Sequence, residues 1–213
     1  MQPTVSARKR DAIARAALTL FARDGYERTS VDAIAAEAQV SKRTVYSHYG
    51  DKENLFLLVV NDTYQQFRER FAEVSGRMAR DVHSVDEVEK SLTECVGEIV
   101  RAISSTPDRA LLVRLVMTEM PRFPALLELW RNRSIVPLLA DPLARLTAAG
   151  LLAAGPPTLA AEHLSALTFG QINSRSMMGT IALSDAETDR IISSGIRVWL
   201  CAYGVPRSQS ERR

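Results

Sequence analysis

A chain of 213 residues, 46% hydrophobic and 24% charged, is long enough to bury a core and lies outside the disordered, collagen-like and coiled-coil classes. The longest central apolar stretch, Leu55 to Val60, is far short of the roughly 20 residues that span a bilayer, so no membrane segment is expected. The net charge of +2 advertises no partner by itself, but residues 1–50 hold eight basic against five acidic side chains.

Apolar residues recur at helical spacing almost throughout, and no alternating strand pattern bounded by turns stands out, so the sequence predicts an all-α protein of about nine helices. The first helix runs from about Ala7 to Asp24, with Ile13, Ala17, Leu20 and Phe21 on one stripe. Arg15 breaks the apolar run behind Arg8, Lys9 and Arg10, so no signal-peptide core forms and a cytoplasmic location is expected. Gly25 marks the helix end, as Gly150 and Gly204 do for later helices, each where a left-handed cap is expected. Thr29 with Asp32, Ser84 with Glu87 and Ser184 with Glu187 have the spacing of a hydroxyl cap and its carboxylate, and Thr106 precedes Pro107 in the same role.

A second helix, about Ser30 to Ala38, offers Val31, Ile34, Ala35 and Ala38 to the first. After Gln39 and Val40, Ser41 caps a third, from Ser41 to Tyr49. Two short helices joined this tightly form a helix-turn-helix. On the third helix only Val45 and part of the two tyrosines are available for packing; the other faces are polar donors. Such a rod fits the major groove of DNA, with Lys42, Arg43 and Thr44 toward base edges and Tyr46 and His48 reaching the backbone or a thymine methyl. From spacing alone a short solvated helix with ordinary surface charges fits as well. Asp51 then caps a fourth helix, and Lys52 in its first turn opposes the helix dipole, which suits a phosphate anchor better than a stabilising element.

The stretches Thr29 to Ala35, Val40 to Tyr49 and Asp51 to Phe56, with Phe21, Gly25 and Tyr26 before them, resemble the DNA-binding domain of TetR-family transcriptional regulators over roughly residues 8 to 60. The resemblance implies base or backbone contacts from Lys42, Arg43, Thr44, Tyr46, Ser47 and His48, and phosphate contacts from Thr29, Ser30, Tyr49 and Lys52. Gln39 departs from the pattern, in which glycine is common before the turn; a left-handed backbone there costs a non-glycine residue about 1 kcal/mol or more.

The resemblance divides the chain into a DNA-binding domain, residues 1–54, and a helical ligand-binding and dimerisation domain, residues 55–213. The fourth helix, through Phe56, Val59, Val60, Tyr64, Phe67 and Phe71, connects them. The stretch Arg114 to Pro124 is similar to AefR/AcrR-like repressors, and Pro121 and Pro124 must interrupt the helical pattern there. Met117, Met120, Phe123, Trp130, Phe169 and Met177 supply large adaptable apolar surface of the kind that lines pockets, though plain core packing uses the same residues. Gln171, Asn173 and Arg175 could orient a ligand or bond across an interface. The last two helices, about Thr158 to Met178 and Ser184 to Tyr203, are apolar over wide faces; with Leu164, Leu167, Ile192, Ile196 and Trp199 they suit a four-helix bundle between two copies. Residues 205–213 read as a polar tail.

The resulting expectation is a homodimeric repressor that binds a double-stranded, pseudo-palindromic DNA operator and is released by a small hydrophobic effector. An enzyme is not expected: the sequence has no phosphate loop, no Gly-x-Ser-x-Gly elbow and no metal-spaced His/Glu motif, and Glu94 with Glu98 reads as a solvated face. His83 and His163 have no partner at metal-ligand spacing, and Cys95 and Cys201 form no CxxC, so no metal and no cofactor are expected. A helical interaction module whose head no longer binds DNA is the remaining alternative.

Overall fold

Helical periodicity is realised almost throughout the computed structural model, which describes residues 5–104, 107–132 and 135–205. The chain opens with α1 (Val5–Asp24), α2 (Val31–Glu37) and α3 (Lys42–Tyr49), followed by α4 (Lys52–Ser75), α5 (Val85–Ser104), α6 (Pro107–Glu119), α7 (Pro124–Asn132) and α8 (Val136–Ala148). A rod in three pieces comes next: α9 (Pro157–Ser165), a π-helical stretch (Ala166–Gly170) and α10 (Gln171–Arg175); α11 (Asp185–Tyr203) ends the described chain. Counted with the rod as one, there are ten helices among the described residues. The stretch between Pro124 and Gly150 holds two of them, and α8 carries Pro137 in its first turn. Proline lacks an amide donor and clashes with a preceding helical turn, so it is tolerated there and starts a new helix rather than extending α7.

The caps show which sequence signals acted. Ser84 Oγ accepts from Glu87 N at 3.3 Å, while Glu87 Oε2 accepts from the amides of His83 at 2.7 Å and Ser84 at 3.2 Å. The backbone hydrogen bond from His83 is the main cause that holds the Glu87 carboxyl below its ordinary range. Ser184 accepts from Glu187 N at 3.2 Å in the same way. Pro107 is the first residue of α6, and Thr106 lies outside the described residues. The cap of α2 falls one residue later than the Thr29 spacing suggests: Ser30 Oγ accepts from Ala33 N at 3.0 Å. Gly25 and Gly150 take the left-handed backbone, with φ of 81° and 73°, but Gly204 is extended at φ −74°. Gly204 is needed for space instead, because a Cβ there would meet Leu200 O at 2.5 Å. Past Val205 the expected tail lies outside the described residues.

Two packing units divide the chain. One takes Met1–Phe67 with Thr106–Arg133, the other Arg68–Ser105 with Ser134–Arg213. The first has the expected stripe of α1 at its centre, joined by Val31, Ile34 and Ala35 of α2 and by Leu55, Phe56, Val59 and Val60 of α4. Leu112, Leu115 and Val116 of α6, with Phe123 and Leu126, complete that core. Packing therefore groups α6 and α7 with the N-terminal helices, a division different from the functional one expected at residues 54 and 55. The second unit is built on Phe71 and Val74 of α4, Val88, Leu92 and Val96 of α5, and the apolar faces of α8, α9 and α11. Within it, α11 passes the π-helical stretch at Gly195, where an added Cβ would lie 2.4 Å from Leu167 O. Trp199 Nε1 donates to Ala160 O at 2.8 Å, so the largest buried side chain of α11 also satisfies its one donor. Cys95 is buried and Cys201 exposed, and burial pushes the Cys95 thiol up. Among the described residues no helix is long and apolar enough to cross a membrane, and no acidic, histidine or cysteine cluster could hold a metal ion.

Candidate nucleic-acid interface

The turn between α2 and α3 is made at Gln39, which takes the left-handed backbone at φ 54°. The strain foreseen for a non-glycine residue is therefore present, and Val40 N closes the turn on Ala35 O at 2.9 Å. Ser41 then caps α3: its Oγ accepts from Thr44 N at 3.1 Å and shares a hydrogen bond with Thr44 Oγ1 at 2.8 Å. Two side chains pin α3 to the unit, Val45 and Tyr49, both buried. The Tyr49 hydroxyl donates to Arg10 O at 3.2 Å, tying the end of α3 to α1.

With those two positions facing inward, the remaining faces present Ser41, Lys42, Arg43, Tyr46 and Ser47 to solvent, with Thr44 and His48 half-buried. No acidic residue stands in the first turn of α3. Lys42 reaches back to α2, its Nζ 2.8 Å from Asp32 Oδ2, and that hydrogen bond is the main cause raising the ammonium above its ordinary value. Both partners are exposed, so salt screens the pair and a phosphate can compete for the lysine. Arg43 is exposed and has no acidic partner among the described residues. Ser30, also exposed, stands at the start of α2.

Two of the residues expected to touch phosphate are placed otherwise. Thr29 is buried, its hydroxyl donating to Gly25 O at 2.8 Å and Leu20 O at 3.1 Å. It closes the end of α1 instead of presenting a donor to a ligand. Tyr49 is likewise committed through its ring and its hydroxyl. Both are residues with a polar tip, and sequence cannot say whether that tip turns outward or onto a carbonyl of the same chain.

Asp51 caps α4 as expected, its Oδ1 accepting from Asn54 N at 2.7 Å. Lys52 is half-buried: its Nζ lies 4.3 Å from the centroid of the Tyr26 ring and donates to Glu27 O at 3.2 Å. Burial lowers the Lys52 ammonium from its ordinary value. Tyr26 sits in an aromatic cluster with Phe21, Phe56 and Phe123, at ring-centre distances of 5.7, 5.1 and 4.7 Å. Three polar residues around this cluster escape a reading by sequence motif. Glu119 Oε1 accepts from Tyr26 N at 3.0 Å, and Arg122 forms an ion pair with Glu27. They lie more than ninety positions from their partners, so no local pattern connects them.

The family described as bacterial regulatory proteins of the tetR family matches residues 13–59, and that described as the AefR-like transcriptional repressor C-terminal domain matches residues 90–205. The chain belongs to the TetR family. As a TetR-family regulator it is similar to a solved regulator from Mesorhizobium loti MAFF303099, with 31% identity, a TM-score of 0.84, and coverage of 95% of this chain and 100% of that one. The flavonoid-responsive regulator FrrA is 27% identical with a TM-score of 0.65, covering 94% of this chain and 99% of FrrA. Among curated proteins, the regulator HbdR of Aromatoleum sp. (strain CIB) is 42% identical over 67 residues, 30% of this chain and 29% of HbdR. The chain spans about a third of the length of the curated relatives it matches.

The residues expected to line an effector pocket of this TetR-family chain do not gather in either unit. Met120 and Phe123 pack into the core of the first unit, and Met117 of the same unit is 46% exposed. Phe169 belongs to the second, where its ring centre lies 5.6 Å from that of Phe71, and Asn173 is half-buried there. Met177 is 63% exposed on a left-handed turn at φ 48°. The side chain of Trp130 lies outside the described residues. The residues expected to pair two copies also lie mostly in a core. Leu164, Ile192, Ile196 and Trp199 are buried in the core of their own unit, so no second copy can reach them; Leu167 is half-buried. The strongest apolar stripe of α9 and α11 packs inward, which leaves the weaker opposite face outward. There Leu167, Gln171, Arg175, Arg190, Ile191, Ser194, Gly195 and Val198 line a groove of about 290 Å³.

Proposed function

We propose that this chain is a homodimeric repressor acting in the cytoplasm, bound to a pseudo-palindromic operator and released by a small hydrophobic effector. The observation that carries the reading is the exposed cationic start of α3, held in place by the Ser41 cap and by the buried Val45 and Tyr49. Lys42, Arg43 and Thr44 enter the major groove, Tyr46, Ser47 and His48 follow along it, and Ser30 and Lys52 take phosphates. Thr29 and Tyr49 act by positioning, since their hydroxyls are bound within the chain. Two reading heads would sit roughly 34 to 36 Å apart, or at a related spacing, to occupy successive grooves.

Release follows from a shift between two dimer arrangements. An effector that favours the arrangement misfitted to DNA weakens binding by its differential affinity, typically about 5- to 150-fold. α4 contributes side chains to both cores and is the proposed connector. FrrA, flavonoid-responsive by name, supports an apolar small-molecule effector. The test is a fluorescence anisotropy titration of labelled duplex from the promoter upstream of the chain's own coding sequence, competed by specific and by random duplex. Specific binding at least about 1,000-fold tighter than to random sequence is expected. Equal competition by both duplexes would overturn the reading, as would a solution mass of a single chain at working concentration.

A further inference from the structure

We propose that Arg122 is a positioning residue for the phosphate contact of Lys52: by occupying the Glu27 carboxylate it leaves the lysine on weaker partners, from which DNA can take it. The inference rests on the DNA-binding reading above and concerns how that site is kept available. Lys52 Nζ is held by the carbonyl oxygen of Glu27 at 3.2 Å and by the Tyr26 ring at 4.3 Å, with no carboxylate among its hydrogen-bond partners in the described residues. Yet the same Glu27 carries a carboxylate on its side chain, and that group is paired with Arg122. A carboxylate adds to the hydrogen bond a Coulomb attraction for the ammonium that the neutral Glu27 carbonyl lacks. Without Arg122, the Glu27 carboxylate is released to compete with phosphate for Lys52.

The corner that carries Arg122 is firmly set. The amides of Arg122 and Phe123 both donate to Glu119 O at 3.0 Å, and Phe123 packs against Tyr26 and Phe56 at ring-centre distances of 4.7 and 5.0 Å. Glu119, the other acid nearby, is committed to the Tyr26 amide at 3.0 Å. Residues 26 and 27 are thus gripped from one side by the first residue of α4 and from another by the end of α6 and Arg122.

The test is a cycle of Arg122→Ala, Glu27→Gln and the double variant, with Arg122→Gln as a second neutral replacement should the alanine variant fail to fold. From a slope of about 0.9 per phosphate in log K against log salt, losing one contact costs about eightfold per reading head at 0.1 M salt relative to 1 M. Arg122→Ala is expected to show that loss and a slope smaller by about one per head; the double variant is expected to regain both. Added to Lys52→Ala, Arg122→Ala is expected to cost nothing further. Weakening that Glu27→Gln does not restore would overturn the proposal, since Arg122 would then act on DNA directly or on the fold. A second readout needs no DNA: amine labelling of Lys52 in the free protein slows in Arg122→Ala and recovers in the double variant. Unchanged labelling sinks the inference even where DNA binding is intact, whereas wild-type protein without specific binding sinks the functional reading.

Discussion

Gly195 offers the sharpest test of the packing of the second unit. Replacing it by alanine puts a Cβ at 2.4 Å from Leu167 O, 3.0 Å from Leu167 C and 3.2 Å from Thr168 Cγ2. The first two are backbone atoms of the π-helical stretch and cannot swing aside. Since a Cβ essentially never comes within 3.0 Å of such an atom, α11 and the π-helical stretch must separate by about 0.6 Å or more. Overpacking of this kind costs about 1 to 3 kcal/mol, while alanine in a helix interior returns roughly 0.5 to 1 kcal/mol of backbone entropy. The net is a loss of up to about 2.5 kcal/mol, or a fall in melting temperature of up to about 10 °C at this chain length. Gly97 in α5 is the matched control: the three atoms nearest its added Cβ all belong to the guanidinium of Arg101, at 3.0 to 3.4 Å, and that flexible end can move. Gly97→Ala is therefore expected to raise the melting temperature by about 1 to 4 °C. Thermal unfolding followed by circular dichroism at 222 nm reads both. A Gly195→Ala protein that melts at or above the wild type would refute the close approach of α11 to the π-helical stretch.

Four further outcomes are expected. Lys52→Ala weakens binding to all duplexes alike and lowers the salt slope by about one per head, while Arg43→Ala alters preference at one operator position; a salt series on single-base variants separates them. Ser30→Ala loses the α2 cap and about 1 kcal/mol, whereas Thr29→Val strips the donor from two carbonyls and costs more, about 1 to 3 kcal/mol, in urea unfolding. Tyr49→Phe removes the bond to Arg10 O and lowers stability by about 1 kcal/mol with the ring still packed, measured the same way. A thiol reagent modifies Cys201 in the native protein and Cys95 only on unfolding, as peptide mapping after brief labelling would reveal.

The reading head was legible because local chemistry writes it. Ser41 before a short polar helix, Asp51 before Lys52, and Gly25 after the α1 stripe each act within four residues, the range over which sequence patterns carry force. What escaped depends on contacts distant along the chain. Nothing near Thr29 says that its hydroxyl turns to Leu20 O, and nothing near Glu119 says that it meets the Tyr26 amide. The residues expected to bind an effector or pair two copies are hard to place for another reason. Core and interface both favour large apolar side chains, so Trp199 and Ile196 satisfy either reading until the helix has been rotated against its neighbours. The second face of α11, marked by Val198 at 56% exposed, is too weakly apolar to stand out in the sequence.

The aromatic cluster around Tyr26 bears on how such regulators can be recombined. Phe123 lies in contact with both Tyr26 and Phe56, so the DNA-reading helices are not a cassette that ends before α4. A hybrid spliced inside α4 inherits Tyr26 and Phe56 with whatever side chain the donor places opposite them. Transplants that carry the α6–α7 corner along with the head keep that flank closed, and grafting success should track this corner more closely than the choice of splice point.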